Sequence, residues 1–238
     1  KGDSVAILLP NVIPCVIAYY AIIKLGAIAV MNNPLYSDRE LEYQFNNSEA
    51  KLLITLDLLG KRMIALRSKT KINEIIYTSI GDYLPFPKNI LFPLVGKKKG
   101  LAADVPKADN VYRWKDILSK NYPKAPKTVL SFEDVAMYQY TGGTTGVSKG
   151  VMLTHANLST QVQQVRAWFP KFSKGEEIML GALPFFHVFG LTVNLWVPLY
   201  YGMTMITYAN PLDFQTICKI AREEKPTIMV GTPSFFWG

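Results

Sequence analysis

The segment Tyr140-Thr141-Gly142-Gly143-Thr144-Thr145-Gly146-Val147-Ser148-Lys149-Gly150 packs four glycines, three threonines, a serine and one lysine into eleven residues. Glycine allows sharp turns and a close approach of backbone to ligand. Successive backbone N–H groups and hydroxyls in such a loop form a concavity that holds anions. A lysine adds a compact positive charge suited to phosphate. The combination points to a polyphosphate site, with an ordinary glycine–threonine turn as the plainer alternative. A second stretch, Leu183-Pro184-Phe185-Phe186-His187-Val188-Phe189-Gly190, sets a histidine in an aromatic run. Its residue types leave His187 open between a core histidine satisfied by a backbone carbonyl and a group that faces a ligand. Phe185, Phe186 and Phe189 are likewise open between plain core and substrate wall, whereas His155 reads as structural.

Two known loop patterns fit the first segment poorly. A Walker A loop needs Gly-Lys-Ser/Thr ahead of a helix. Here Ser148-Lys149-Gly150 precedes an apolar run that reads as a strand. Gly146-Val147-Ser148-Lys149-Gly150 matches the G-x-S-x-G of a hydrolase elbow, but that elbow needs strand–turn–helix, then an acid and then a histidine. No histidine follows His187, so Asp213 has no partner behind it.

Composition narrows the classes further. The 238 residues carry a net charge of +8, with 49% hydrophobic and 18% charged side chains, which excludes intrinsic disorder. Two cysteines exclude a disulfide scaffold or thiolate zinc cluster, and two histidines leave little room for a His-based metal site. No basic stripe interleaves with aromatics, which argues against nucleic acid. The positive balance suits anionic ligands and lipid. At roughly 100–200 residues per domain, the length allows one large domain or two small ones. Both ends read as cuts through a larger domain: Lys1 leads straight into an apolar run, and Phe235-Phe236-Trp237 stands at the other end.

The elements that must position these residues alternate. Residues 5–9 read as a buried strand. A helix over 12–25 follows, with Asn11 as N-cap and Gly26 as its stop. Pro10, Asn11 and Pro14 break this apolar region too early for a membrane span. Residues 28–31 form a short apolar run. Ser37 and Glu40 have capping-box spacing for a helix to about 48. A strand at 51–55, a helix at 57–68 and a strand at 74–78 come next, which argues for an α/β layer sheet with parallel strands. Residues 82–109 break the pattern with prolines and Lys97-Lys98-Lys99. They read as a solvated insertion, with docking of 90–95 on anionic lipid as the other possibility. A short helix at 114–119 and a proline-rich connection at 121–128 follow. The second half gives a strand at 135–140, the loop, a strand at 151–154 and a helix from Asn157 to about 169. Beyond it lie a strand at 177–182, an apolar helix at 190–201, a strand at 203–208, a helix at 213–224 and a strand at 228–230.

The loop resembles the phosphate-binding signature of acyl-adenylate-forming (AMP-binding) enzymes, Y-T-S-G-T-T-G-x-P-K-G. The form Tyr140-Thr141-Gly142-Gly143-Thr144-Thr145-Gly146, followed by Val151-Met152-Leu153-Thr154-His155-Ala156-Asn157-Leu158, is similar to the bacterial long-chain fatty-acid–CoA ligases. Ser148 departs from the usual proline. Residues 183–190 resemble the family's second core motif, which lines the acyl pocket, and 24–34 and 232–234 resemble further family segments.

The resemblance implies an α/β fold of layered, largely parallel sheets flanked by helices. Residues 1–238 would be an incomplete part of the large N-terminal adenylation domain, without the C-terminal lid. It implies an acid–thiol ligase: ATP activates a fatty acid to acyl-AMP with release of pyrophosphate, and coenzyme A then takes the acyl group as a thioester. Thr141, Gly142, Gly143, Thr144, Thr145, Gly146 and Lys149 would hold the ATP phosphates. Thr141 would also help to position Mg²⁺. Lys149 and His187 would be catalytic, and Phe186, His187 and Gly190 would line the acyl pocket. Ligases for shorter or aromatic acids, acyl–carrier-protein synthetases and a non-catalytic nucleotide- or acyl-binding module remain alternatives. The implied location is cytoplasmic. A peripheral contact at the inner face of the membrane and a homodimer stay open. The 238 residues alone are expected to turn over poorly or not at all.

Overall fold

Residues 5–9 carry no charged side chain, and the strand they build is buried on both faces. The computed structural model describes residues 1–125, 127–142 and 147–237. Strand β1 (Ser4–Leu8) is followed by α1 (Ile13–Leu25), β2 (Ile28–Met31), α2 (Asp38–Asn47), β3 (Leu52–Leu56), α3 (Asp57–Arg67) and β4 (Glu74–Thr78). A 3₁₀ turn (Ile80–Tyr83), α4 (Lys88–Lys98), β5 (Val111–Arg113) and α5 (Trp114–Leu118) lead to the hairpin strands β6 (Val135–Thr141) and β7 (Lys149–Thr154). Then come α6 (His155–Trp168), β8 (Ile178–Gly181), α7 (Val188–Leu191), a π-helical stretch (Thr192–Trp196), α8 (Val197–Tyr201), β9 (Thr204–Thr207), α9 (Phe214–Glu224), β10 (Ile228–Met229) and α10 (Pro233–Trp237).

The first seven strands form one sheet in the order β5-β4-β3-β1-β2-β6-β7, and the last three form a second in the order β10-β8-β9. All neighbours are parallel except β6 and β7. A parallel sheet must be covered on both faces, and β1 shows how. Val5 and Ile7 pack with Cys15, Tyr19 and Ile22 of α1. Ala6 and Leu8 pack on the other face with Leu41 and Phe45 of α2 and Met63 of α3. Phe185, Leu191, Leu195 and Trp196 join the α1 cluster, so one core welds the two sheets. The expected α/β class and largely parallel pairing are thereby met.

Several local expectations change. Asn11 is not the N-cap of α1: Val12 takes that position with no side-chain bond. Pro14 lies in the first turn, so one donor fewer needs a cap. Residues 82–109 are a largely exposed insertion, and within it α4 forms a helix beyond the sequence expectation, with Pro93 inside it. At α6 the cap is Thr154, and Asn157 is its capping-box partner at N3. The apolar helix after Gly190 begins at Val188 and widens into π geometry before Pro198. Pro198 has no N–H for the Asn194 carbonyl, so regular α bonding cannot continue there. Ser37 and Glu40 do form the expected box, with Ser37 N–H donating to Glu40 Oε2 at 2.8 Å. Gly26 ends α1 as expected, at φ +68° in the left-handed region.

The same packing separates the two thiols. Cys15 is buried on α1, and burial pushes its thiol up to about 12. Cys218 on α9 is exposed. A thiol titration of the folded protein with an aromatic disulfide is therefore expected to register Cys218 quickly and Cys15 only after denaturant is added. Similar rates for both thiols would contradict this packing of α1.

Candidate active site

β6 and β7 are consecutive antiparallel strands, and their register sets Thr141 across from Lys149. Directly opposed residues of such a pair hold their Cβ atoms about 4.5–5.5 Å apart. The hydroxyl and the ammonium expected to serve one anion thus stand at the two posts of a single hairpin, both on exposed residues. Gly142, Val147 and Ser148 lie at the base of the loop between the posts. Gly143, Thr144, Thr145 and Gly146, also expected on phosphate, lie outside the described residues. Lys149 opens a strand rather than a helix, which rules out both the Walker A geometry and the nucleophile elbow.

The posts are anchored from behind. Tyr140 is buried, and its hydroxyl donates to Asn47 Oδ1 of α2 at 2.7 Å. Its ring meets Tyr43 edge-on at 6.5 Å between centroids. Burial pushes the Tyr140 phenol up to about 12, which keeps it a protonated donor. One residue further back, buried Gln139 donates from Nε2 to the Phe186 carbonyl at 3.0 Å. This bond ties the strand that carries Thr141 to the turn that carries His187. Its only sequence signal was one amide inside an otherwise apolar strand.

His187 is the N-cap of α7, an exposed residue and not a core one. Its Nδ1 accepts the Phe189 N–H at 3.2 Å. In the neutral imidazole the proton therefore sits on Nε2, which is left as a donor. Phe185 is fully buried core, and Phe186 is half-buried with its carbonyl engaged by Gln139. Gly190 is buried for a steric reason: a Cβ there would stand 2.2 Å from the Pro184 carbonyl oxygen. Gly190→Ala is expected to open the turn under His187, at about 1–3 kcal/mol for forced overpacking. A urea midpoint indistinguishable from wild type would overturn that reading of the glycine.

Asn11 does its work here. Its Nδ2 donates to the Gly181 and Leu183 carbonyls at 2.9 and 2.8 Å, and its Oδ1 accepts the Phe185 N–H at 2.8 Å. Asn11, three residues past the end of β1, therefore fastens the run from Gly181 to Phe185 that leads to His187.

A cleft of about 650 Å³ opens beside the loop, lined by Tyr36, Arg39, Glu40, Tyr43 and Gln44 of the α2 region and by Gly142, Val147 and Ser148. Arg39 is exposed and is in no ion pair among the described residues. It brings a second cation to the loop, which the sequence did not single out. A separate, mostly apolar cleft of about 390 Å³ lies between α1, α6 and α8, lined by Tyr19, Ile23, His155, Leu158, Trp196 and Leu199 among others. His155 stands at the opposite end of β7 from Lys149, so this cleft is distinct from the loop.

Among the described residues, no group of three or more His, Cys, Asp or Glu is placed to hold a metal. Among the described residues of the loop, Thr141 and Ser148 carry hydroxyl donors, and Thr141 is the exposed one. A neutral oxygen donor fits Mg²⁺, which keeps most of its shell as water and phosphate oxygen. No helix among the described residues is long and apolar enough to cross a membrane.

Two largely parallel sheets, with the β6–β7 hairpin at one end of the first and a histidine-bearing turn bonded to it, define an α/β domain with a candidate anion site. The chain belongs to the AMP-binding enzyme family, whose model matches residues 1–237. It is 40% identical over 243 residues to a long-chain-fatty-acid–CoA ligase of Bacillus subtilis (strain 168), covering 100% of this chain and 42% of that protein. It is 35% identical to the long-chain-fatty-acid–CoA ligase of Salmonella typhimurium, covering 99% and 42%. Among solved structures it matches a long-chain-fatty-acid–CoA ligase of Archaeoglobus fulgidus with a TM-score of 0.76 at 25% identity, covering 99% of this chain and 41% of that one. An anthranilate CoA ligase in complex with anthranoyl-AMP shares the fold, with a TM-score of 0.79 at 21% identity. The chain thus spans about 42% of the length of the curated relatives it matches.

Proposed function

We propose that this chain is the phosphate- and carboxylate-handling part of the N-terminal adenylation domain of a long-chain fatty-acid–CoA ligase. The observation that carries the proposal is the hairpin: Thr141 and Lys149 face each other across the loop, and Gln139 bonds the same strand to the His187 turn. One rigid unit thereby offers an anion site and a carboxylate-facing imidazole.

The reaction has two steps. A fatty-acid carboxylate oxygen attacks the α-phosphorus of ATP, the bond to the β-phosphate bridging oxygen breaks, and pyrophosphate leaves. The coenzyme A thiolate then attacks the acyl carbon of the adenylate, and AMP leaves. Charge gathers on phosphate oxygens in the first step, so positioning and electrostatic stabilisation carry it. Lys149 supplies the point charge and Thr141 a hydroxyl donor, to which Thr144 and Thr145, by residue type, would add two more hydroxyls. His187 offers its Nε2–H to the incoming carboxylate and holds it at the α-phosphate. Mg²⁺, when bound, neutralises phosphate charge, and Thr141 would be its protein donor in this chain. The apolar cleft between α1, α6 and α8 suits a long acyl tail. A cytoplasmic location with a peripheral contact at the inner face of the membrane goes with this proposal.

The test is ATP–pyrophosphate exchange by the protein at its full length, with acids from short to long and with aromatic acids. Exchange that rises with chain length supports the ligase. Exchange only with aromatic or short acids moves the substrate class, and a folded protein that binds ATP without any exchange makes this a binding module. The 238 residues alone are expected to show no sustained acyl-CoA synthesis.

A further inference from the structure

Helix α4, in the insertion between β4 and β5, wears its apolar side outward. Asn89, Phe92 and Gly96 face the protein at helical spacing, and Phe92 seats the helix. Its ring fills the space a side chain at Gly81 would need, at 2.3 Å, and lies 3.0 Å from where a Cβ at Gly96 would stand. On the other face Ile90 is 63% exposed, Leu91 54%, Leu94 71% and Val95 46%, and Phe86 just before the helix is 78% exposed. A helix on a water-facing surface shows the reverse order, with its polar side out.

The charges around this face say what covers it. Residues 86–101 hold four lysines and no acid. Lys97 pairs with Asp104 at 2.6 Å, whereas Lys88, Lys98 and Lys99 form no ion pair among the described residues. An exposed aliphatic face bracketed by unpaired lysines complements a surface that is apolar below and anionic above. Two copies meeting through this face would bring their lysines together, which disfavours self-pairing. At eleven residues the helix is about 16 Å long. That suits lying in the interface plane, since a span needs about 20 residues.

We propose that α4 docks the protein on an anionic lipid surface. Ile90, Leu91, Leu94 and Val95 enter the boundary between headgroups and acyl chains, while Lys88, Lys98 and Lys99 extend to the lipid phosphates. The docking itself stands independently of the ligase reading. Combined with that reading, it brings the adenylation site to the phase in which long-chain acids dissolve.

The test uses the full-length protein and its Ile90→Glu/Leu94→Glu and Lys98→Glu/Lys99→Glu variants, sedimented with phosphatidylglycerol-containing and with pure phosphatidylcholine vesicles. Wild type is expected to bind the anionic vesicles at least tenfold better, with binding weakened by salt and at least tenfold lower in each variant. Thermal melts and exchange with a long-chain acid presented in detergent micelles without vesicles should remain at wild-type level, which separates lost docking from lost folding. A second measurement attaches an environment-sensitive dye at Leu94→Cys in a Cys218→Ser background, and its emission should shift to the blue only when vesicles are added. Blue emission before vesicles, in a monomer or a dimer, would mean that the rest of the chain or a second copy covers α4, and would overturn the proposal. Absent vesicle binding, or binding undiminished in both variants, would overturn it as well. Vesicle binding by a protein without exchange would sink the ligase reading and leave the docking standing.

Discussion

Replacing Lys149 by alanine in the full-length protein is expected to lower ATP–pyrophosphate exchange by about two to three orders of magnitude, the usual loss when one preorganised stabiliser of developing charge is removed. The expectation rests on position as much as on charge. Lys149 is the first residue of β7, held in register with Thr141 by the hairpin, and Tyr140 and Gln139 lock the partner strand against α2 and against the His187 turn. The ammonium is thus presented by a braced strand end, so little ordering is left to do when a phosphate arrives. Lys149→Arg should restore only part of the rate, because a planar fork does not replace a compact point charge. Thr141→Ala should cost less than Lys149→Ala, since a neutral hydroxyl contributes less than a charge. All three variants should fold as wild type does, because both positions are exposed. Exchange by the alanine variant within about threefold of wild type would remove Lys149 from the phosphate site.

The second large effect is structural and lies far away in sequence. Asn11→Ala is expected to destabilise the protein by about 3 kcal/mol, because it strips partners from buried backbone groups that cost about 1–3 kcal/mol each when left unmet. Three such groups bond to this one amide, the Gly181 and Leu183 carbonyls and the Phe185 N–H, and among the described residues only Leu183 has a second side-chain donor, Asn194 Nδ2 at the longer distance of 3.4 Å. Asn11→Asp should be worse than alanine, since a carboxylate would face two carbonyl oxygens with no proton to give. The measurement is the urea midpoint at unchanged slope. Exchange measured well below that midpoint should also fall, because Asn11 holds the run that ends at His187. Wild-type stability in Asn11→Ala would mean that water replaces the amide at little cost and that the approach to His187 is held by other contacts.

Much of this was legible along the chain because its causes are local. The glycine–threonine loop announces an anion site through residue types alone, and the Ser37–Glu40 box and the stop at Gly26 depend only on neighbours within one turn. Buried strands such as 5–9 declare themselves as short apolar runs between turn residues. Asn11 shows where such reasoning fails. An asparagine ahead of an apolar helix is a good cap by local rules, yet its amide bonds to carbonyls about 170 residues further on. The insertion at 82–109 hid its helix for a similar reason: its prolines and lysines break the local pattern, while Phe92 against Gly81 and Gly96 holds a helix in place. Gly190 carried no visible signal of its role, because the clash it avoids is with a backbone oxygen placed by the fold of the turn.

The amino-acid sequence by itself determined the alternation of strands and helices, the chemistry of the 140–150 loop and the family to which both belong. Those follow from side-chain type and near-neighbour spacing, which survive without knowledge of distant contacts. Only the tertiary structure decided that Thr141 faces Lys149, that Gln139 and Asn11 fasten the loop strand and the β1 end to the His187 turn, and that α4 turns its aliphatic face outward. Strand register, long-range hydrogen bonds and the exposed side of a helix are set by what packs against each element, and that packing joins residues up to 174 positions apart.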